Sequence, residues 1–146
     1  MPGSVRIYSF AISLVVLLTA CGGNVFNLAV GDCFDDWEGS LSNVTQEVSD
    51  VPIVDCADPH DNEVYSVSEM PSGPFPGDQA IEDWTIARCS ETFDPYVGMA
   101  YEESVLDFGA FFPTQDTWDR GDTEVMCFLW HINFEKLTGS MQGSGI

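Results

Sequence analysis

One histidine of this sequence lies among carboxylates, in the polar segment between two short apolar stretches. His60 has Asp58, Asp61 and Glu63 as close neighbours, and an imidazole beside carboxylates can act as a catalytic base or as a metal ligand. In a turn, however, an imidazole more often bonds a backbone carbonyl or a carboxylate and holds the chain in place. We therefore predict a structural His60, and we keep an enzyme that uses His60, Asp61 and Glu63 as the alternative.

The remaining residues do not complete a catalytic or metal-binding motif. His131 is the only other histidine, and a zinc site built on two histidines would still need carboxylates and an open position. Glu102 and Glu103 are adjacent, so in a helix or strand their carboxylates diverge, unlike the paired acids of glycosidases. Neither a G-x-S-x-G nucleophile motif nor a glycine-rich phosphate loop occurs. We expect no catalytic residue, no metal and no cofactor.

The N-terminal segment has the composition of an export signal. One basic residue, Arg6, precedes the apolar stretch Phe10–Leu18, which is too short for a comfortable membrane span. The segment ends in Leu-Thr-Ala-Cys21, which resembles a bacterial lipobox, where the cysteine is lipidated and the preceding peptide is removed. Two acyl chains anchor a protein stably to a membrane. We predict a signal peptide over residues 1–20 and a lipid anchor at Cys21.

The four other cysteines are expected to form two disulfides, because the domain is predicted to be exported. They are Cys33, Cys56, Cys89 and Cys127, and no C-x-x-C pair suggests a zinc knuckle or a redox motif. Cys89 falls on an apolar stripe of a predicted helix, and Cys127 on one face of the strongest predicted strand. A Cys89–Cys127 bridge would join two faces that must meet in any case, which leaves Cys33–Cys56 as the second pair.

The charge of the chain limits its partners. It has 24 Asp plus Glu against 4 Lys plus Arg, a net charge of −20. Such a surface repels nucleic acid and anionic lipid headgroups, so we expect neither as a partner. The hydrophobic fraction of 45% argues against disorder. The length fits one folded domain.

Apolar alternation and turn residues divide the domain into strands around one principal helix. The predicted strands are Leu28–Phe34, Val51–Asp55, Glu63–Met70, Val105–Phe112 and Thr123–Ile132, with a further edge strand over Lys136–Ser140. Thr123–Ile132 is apolar on both faces, which predicts a central strand. A helix is predicted to begin with Asp78 as its N-cap and to run to about Phe93, because Pro95 disfavours the helical conformation of the preceding residue. Pro113–Gly121 is predicted to form a capped single helical turn.

The predicted helix has two apolar arcs. They comprise Ile86, Cys89 and Phe93 on one side, and Ala80, Ile81 and Trp84 on the other. We therefore expect a well-buried helix. Strands, one helix and strands again indicate an α+β fold, a small antiparallel sheet with the helix packed on one face and two disulfides.

Ordered motifs through the chain resemble the septum formation domain of actinobacterial lipoproteins. The matching segments are Val30-Gly-Asp-Cys-Phe34, Val54-x-Cys56-x-x-Pro59-His60-x-x-Glu63-Val-Tyr65, Pro76-Gly-Asp78, Pro113-Thr114 with Trp118 and Gly121-Asp122, and Leu137-Thr-Gly-Ser140. The resemblance covers nearly all of the chain after the predicted signal, and the four cysteines belong to it. It implies a surface-associated role in cell division without an assigned reaction.

The predicted organisation follows from these observations. Residues 21–27 would form a tether, 28–140 the septum-formation-like domain and 141–146 a flexible tail. We predict a non-enzymatic binding or scaffolding lipoprotein on the extracytoplasmic face of the cell membrane, with an envelope or division protein as its partner. Trp37 or Phe75, in loops, would supply an exposed aromatic contact to that partner. The alternative function is a metal-dependent or acid–base envelope enzyme.

Overall fold

The computed structural model describes residues 22–37, 40 and 47–146. The predicted signal peptide and Cys21 lie outside these residues. The strands are β1 Gly22–Asn24, β2 Cys33–Phe34, β3 Asp50–Val54, β4 Asn62–Glu69, β5 Leu106–Phe111 and β6 Glu124–His131, and the α-helices are α1 Asp78–Val97 and α2 Gln115–Trp118. The strands form one sheet in the order β1-β3-β2-β4-β6-β5, with antiparallel neighbours. The predicted α+β class is confirmed.

Strand β6 lies inside the sheet because both of its faces are apolar. It pairs with β4 on one side and with β5 on the other. Val125, Cys127 and Leu129 belong to the core beneath α1, whereas Met126 and Phe128 belong to a second core on the opposite face. The alternation that predicted a central strand is confirmed residue by residue.

Helix α1 crosses the first of these faces and buries one stripe of side chains. Ile81, Thr85, Cys89 and Phe93 are buried at intervals of four residues, which is the spacing of one helix face. The expected burial of two arcs is wrong, since Ile86 is 52% exposed. The helix lies outside the sheet with solvent on its other side, so only one stripe can be covered.

The predicted end of α1 is also wrong. Pro95 lies inside the helix, which continues to Val97 and ends at Gly98 in the left-handed conformation with φ 80°. Proline removes one helical N–H, a cost that is offset here because the added turn buries Tyr96 and Val97 in the core. Asp78 is the first helical residue rather than the N-cap, a position that Gly77 takes.

Two predicted strands are reduced in the structure. Only Cys33–Phe34 of the predicted first strand forms a β-strand, because a turn precedes it in which Asp32 accepts a hydrogen bond from the Ala29 N–H. The predicted edge strand Lys136–Ser140 is a single β-bridge between Leu137 and His60. The capped turn is confirmed as α2, with Thr114 and Thr117 forming reciprocal capping bonds.

Both predicted disulfides are confirmed. Cys33–Cys56 joins β2 to the turn after β3 with a Cα–Cα distance of 5.2 Å, and Cys89–Cys127 joins α1 to β6 at 5.6 Å. These separations lie in the ordinary range for a disulfide. The second bridge fixes the helix to the central strand through the two faces that form the main core.

The loop aromatics are packed rather than free. Trp37 lies against Phe34, Phe111 and Phe128, and Phe75 lies against Trp118. Both are partly buried against a core, so neither is the exposed contact that the sequence suggested. Within the described residues, no helix has both the length and the apolar character that a membrane crossing requires.

Candidate functional site

The carboxylate of Glu63 is the point at which three parts of the fold meet. Glu63 lies on β4 and is completely buried. Its carboxylate accepts hydrogen bonds from Tyr96 Oη of α1 at 2.6 Å, from Ser140 Oγ at 2.5 Å and from the Met141 N–H at 2.6 Å. A buried carboxylate needs such donors to replace the water it has lost. The sheet, the helix and the C-terminal segment are therefore joined through one side chain.

Tyr96 is held in its neutral form at this site. Burial raises the pKa of Tyr96 well above its ordinary value, and the hydrogen bond to Glu63 raises the pKa further. The phenol therefore remains a donor to Glu63 at physiological pH. Residues 141–146, which the sequence assigned to a flexible tail, continue along α1, where Gly143 and Gly145 donate to the carbonyls of Tyr96 and Val97.

His60 is fixed by backbone groups. The His60 N–H donates to the Leu137 carbonyl at 3.0 Å, and the Leu137 N–H donates back at 2.8 Å. Its Nδ1 lies 2.9 Å from the Asp58 carbonyl oxygen. A carbonyl can only accept, so Nδ1 is the donor in this bond. His60 is 0% exposed, and Nε2 has no hydrogen-bond partner.

The structure brings His60 and Glu63 together with a third buried residue, Cys33. One ligand atom from each of the three lies within 4.8 Å of the others. We call Cys33, His60 and Glu63 the buried cluster. Its sulfur belongs to the disulfide with Cys56, so in this oxidised state Cys33 offers no thiolate to a metal.

Asp61, the third candidate from the sequence, belongs to a separate surface network. Its carboxylate accepts from the Asp36 N–H at 2.9 Å and from Lys136 Nζ at 2.7 Å. Lys136 also donates to Asp35 at 2.7 Å. Partial burial lowers the pKa of Lys136, but its bonds to Asp35 and Asp61 outweigh that effect, so the pKa is raised overall. This network ties the loop after β2 to the turn that carries His60.

Sequence reasoning missed the partners of Glu63. Tyr96, Ser140 and Met141 lie 33, 77 and 78 residues away from it, and no local pattern connects them. One signal was available, because Glu63 shares its strand parity with Tyr65, which points into the core beneath α1. A carboxylate at an inward position of a strand requires donors from elsewhere in the chain.

The surface between α1 and the C-terminal segment carries an open depression of about 360 Å³. Tyr96 and Gln142 line it together with residues of α1, among them Arg88 and Glu91. Tyr96 thus lines the depression on one side and donates to Glu63. Arg88 is occupied locally, because it donates to Glu91 at 2.8 Å and lies over the Trp84 ring at 5.3 Å.

The solvent side of α1 is strongly acidic. Its exposed carboxylates are Asp78, Glu82, Asp83, Glu91 and Asp94. We call this set the acidic face of α1. Arg88 is the only basic residue of the helix, so the face presents a concentrated negative potential to any partner.

Comparison with known proteins gives one match. A family model described as "Septum formation" matches residues 30–144. Neither the curated proteins nor the solved structures yielded a match. The matched residues include β2 to β6, both α-helices, both disulfides and Glu63 with its three donors.

Proposed function

Since the chain belongs to the septum formation family, we propose that it is a lipid-anchored binding protein that holds a protein partner at the extracytoplasmic face of the cell membrane. Membership relates the chain to septum formation. The binding role, the anchor and the location are our proposal.

The complete burial of His60 and Glu63 is the main observation that supports a binding role rather than an enzymatic one. Both are 0% exposed, and both are engaged by backbone or side-chain groups of the fold. A general base or a catalytic metal ligand must reach the proton or oxygen on which it acts. These two residues reach only other parts of the protein, which favours a structural task for them and a surface task for the domain.

The acidic face of α1 is the surface we assign to the partner. Its carboxylates are exposed and mostly free of basic neighbours. A partner with lysine and arginine side chains would be attracted to this face, and the attraction would weaken with salt. The open depression next to Glu91 would accept one side chain of that partner.

A complementation experiment tests the binding role. In a strain that lacks the gene, septum placement should be disturbed, and the wild-type chain should restore it. A triple variant of the acidic face, Glu82→Gln, Asp83→Asn and Glu91→Gln, should lose both restoration and salt-sensitive cross-linking to its partner. The matched control is Glu102→Gln, Glu103→Gln and Asp119→Asn, which removes the same charge from exposed residues elsewhere. Equal restoration by the two triple variants would contradict the assignment of α1.

The anchor has its own test. Cys21→Ala should leave an unprocessed precursor that takes up no lipid label, because the lipidated side chain is then missing. Cys21→Ala should also leave the two disulfides in place, since the paired cysteines are Cys33–Cys56 and Cys89–Cys127. Normal processing and labelling of the variant would exclude the anchor.

The buried His60 Nε2, which has no hydrogen-bond partner, is the observation that favours the alternative enzyme. A catalytic His60 would predict complete loss of function in a folded His60→Ala variant while partner binding is unchanged. A structural His60 predicts partial function in proportion to the folded fraction. Measuring septum placement and partner cross-linking in the same variant separates the two roles.

A further inference from the structure

The buried cluster contains three kinds of metal-ligating atom, and none of them faces solvent. Cys33 is 1% exposed, and His60 and Glu63 are 0% exposed. One ligand atom from each lies within 4.8 Å of the other two. Among the described residues, it is the one group of three histidine, cysteine or carboxylate side chains whose ligand atoms lie this close together.

The unpartnered nitrogen of His60 is an independent sign of a ligand. Buried polar atoms are nearly always hydrogen-bonded, yet Nε2 has no partner. Nδ1 is occupied by its bond to the Asp58 carbonyl, so Nε2 is the nitrogen that remains for a ligand. In metal sites the ligating histidine usually donates its other N–H to a carbonyl or carboxylate in this way. His60 therefore already has the arrangement of a metal ligand.

We propose that opening the Cys33–Cys56 disulfide converts the buried cluster into a site for Zn²⁺ or a similar divalent transition metal. The ligands are Cys33 Sγ, His60 Nε2 and a Glu63 oxygen. Cys56 Sγ, which the disulfide holds next to Cys33, would be the fourth. Two thiolates, one imidazole and one carboxylate form a four-coordinate donor set that Zn²⁺ accepts. The two sulfurs are either bonded to each other or bound to the metal. This proposal does not depend on the protein partner proposed above.

The change of state balances with a dithiol as the reductant. One thiolate of the dithiol attacks Cys56 Sγ, the Cys33–Cys56 bond breaks, and the second thiol of the reductant releases Cys56 and leaves as a disulfide. The two cysteines then hold two protons. Zn²⁺ displaces these protons and forms bonds to both sulfurs.

The reductant reaches this disulfide before the other one. Cys56 is only partly buried, whereas Cys89 and Cys127 are both 0% exposed. Attack on a disulfide requires access to a sulfur atom. The Cys89–Cys127 bridge therefore remains closed and holds α1 on β6 while the buried cluster changes its occupant.

Cobalt and zinc titration tests the proposal. The full chain is treated with a dithiol until one disulfide is open, as measured by thiol count and peptide mapping. Co²⁺ should then bind one to one with a thiolate-to-metal absorption band and a tetrahedral visible spectrum, and Zn²⁺ should displace it. The oxidised protein should show neither band, because its sulfurs carry no free thiolate.

Variants identify the ligands without relying on reduction. Cys56→Ala frees the Cys33 thiol while Cys89–Cys127 stays closed, so this variant should bind Co²⁺ with no reductant present. Adding His60→Ala should weaken binding at least about tenfold, since loss of even an outer-shell partner typically costs 10–100-fold. Adding His131→Ala instead should change nothing, because His131 is not part of the buried cluster.

Two results would overturn the proposal. One is the absence of a thiolate–metal band in both the reduced wild type and Cys56→Ala. The other is binding that His60→Ala and His131→Ala affect equally. If circular dichroism shows that Cys56→Ala is unfolded, Co²⁺ binding is compared instead between the reduced wild type and the reduced His60→Ala variant. Equal binding by these two proteins would overturn the proposal.

Discussion

At the scale of single residues, Glu63 is the position where the cost of burying a carboxylate is offset by hydrogen bonds from other parts of the chain. Its carboxylate is completely buried and accepts three short hydrogen bonds. Bonds to a charged group contribute about 1.5–3 kcal/mol each, whereas removing the acceptor leaves every donor unpaired. The stability of this region therefore depends more on the acceptor than on any one donor.

Glu63→Ala should lower the free energy of unfolding by about 3–5 kcal/mol, because the buried donors of Tyr96 and Met141 lose their acceptor and Ser140 loses its bond. Tyr96→Phe should lower it by only about 1.5–3 kcal/mol, since Ser140 and Met141 still bond the carboxylate. Urea denaturation of both variants gives the comparison. A Tyr96→Phe cost equal to that of Glu63→Ala would mean that Glu63 does not join the three segments.

Tyr101 predicts a loss of stability at alkaline pH. Its hydroxyl donates to Asp107 at 2.7 Å, and that bond, with some burial, raises the pKa of Tyr101 from 10.0 to about 12. Because the folded pKa exceeds the unfolded pKa, this contribution is complete below pH 10 and is lost as the pH rises through about 12. Unfolding of wild type and Tyr101→Phe at several pH values should show a shallower decline for the variant between these limits. Parallel declines would exclude the bond as the cause.

The residue scale also shows where sequence reasoning ended. The two disulfide pairs could be predicted, because Cys89 and Cys127 lie on elements whose inward faces are readable from local periodicity, and this left Cys33–Cys56 as the second pair. The environment of Glu63 could not, because its partners come from an α-helix and from a segment 77 residues downstream. The sequence therefore named His60, Asp61 and Glu63 without the contacts that bring His60 and Glu63 together and place Asp61 in a separate network.

At the scale of elements, the sheet was more predictable than the helix. The side chains of a strand alternate with a period of two residues, so the sequence was enough to assign the residues of β6 to its two faces. The helix was misjudged three times, first at its N-cap, which is Gly77 rather than Asp78. Ile86 was placed in the core although only one face of α1 is covered, and Pro95 was expected to end a helix that gains two buried residues by continuing. The errors at Ile86 and Pro95 arise from packing, which sequence patterns do not contain.

Strand β5 shows how one glycine allows aromatic packing on the sheet. A Cβ at Gly109 would lie 2.9 Å from Trp130 Cζ3 and 3.1 Å from Phe128 Cζ. Gly109→Ala should therefore lower the free energy of unfolding by about 1–3 kcal/mol, because two packed rings must move. Gly73→Ala is the control, since no atom lies within 4 Å of its added Cβ, and its effect should stay within about 0.5 kcal/mol. If thermal unfolding gives both variants the same midpoint, the rings of Trp130 and Phe128 can move to accommodate the added methyl group without a loss of stability.

At the scale of the whole molecule, the net charge of −20 acts against the compact state. The ion pairs within the described residues are Arg88–Glu91, Lys136–Asp35 and Lys136–Asp61. All three lie near the surface, where such pairs add little stability. Repulsion among the unpaired carboxylates is therefore the larger electrostatic effect, and the two disulfides and the two cores hold the fold against it.

Salt should consequently stabilise the protein. Raising the salt concentration from about 0.01 M to about 0.1 M shortens the screening length from about 30 Å to about 10 Å. We expect the thermal midpoint to rise by about 4 °C, which corresponds to roughly 1 kcal/mol for a domain of this size. The triple variant of the acidic face should show a smaller rise. A midpoint that falls with salt would mean that the ion pairs, rather than the repulsion, dominate.

If the chain is exported as we propose, the bonds from Ser140 and Met141 to Glu63 affect when it can fold during transport. A polypeptide that crosses a membrane N-terminus first presents Glu63 to the outside long before residues 77 and 78 positions later follow it. Until Ser140 and Met141 emerge, pairing of β4 with its neighbours would bury the Glu63 carboxylate without two of its hydrogen-bond donors. We therefore expect β4 to remain unpaired until then. Completion of the fold thus waits for almost the whole domain to emerge. A chain stopped before Ser140 during transport should remain sensitive to protease throughout its emerged length, and release of the next few residues should make it resistant in a single step.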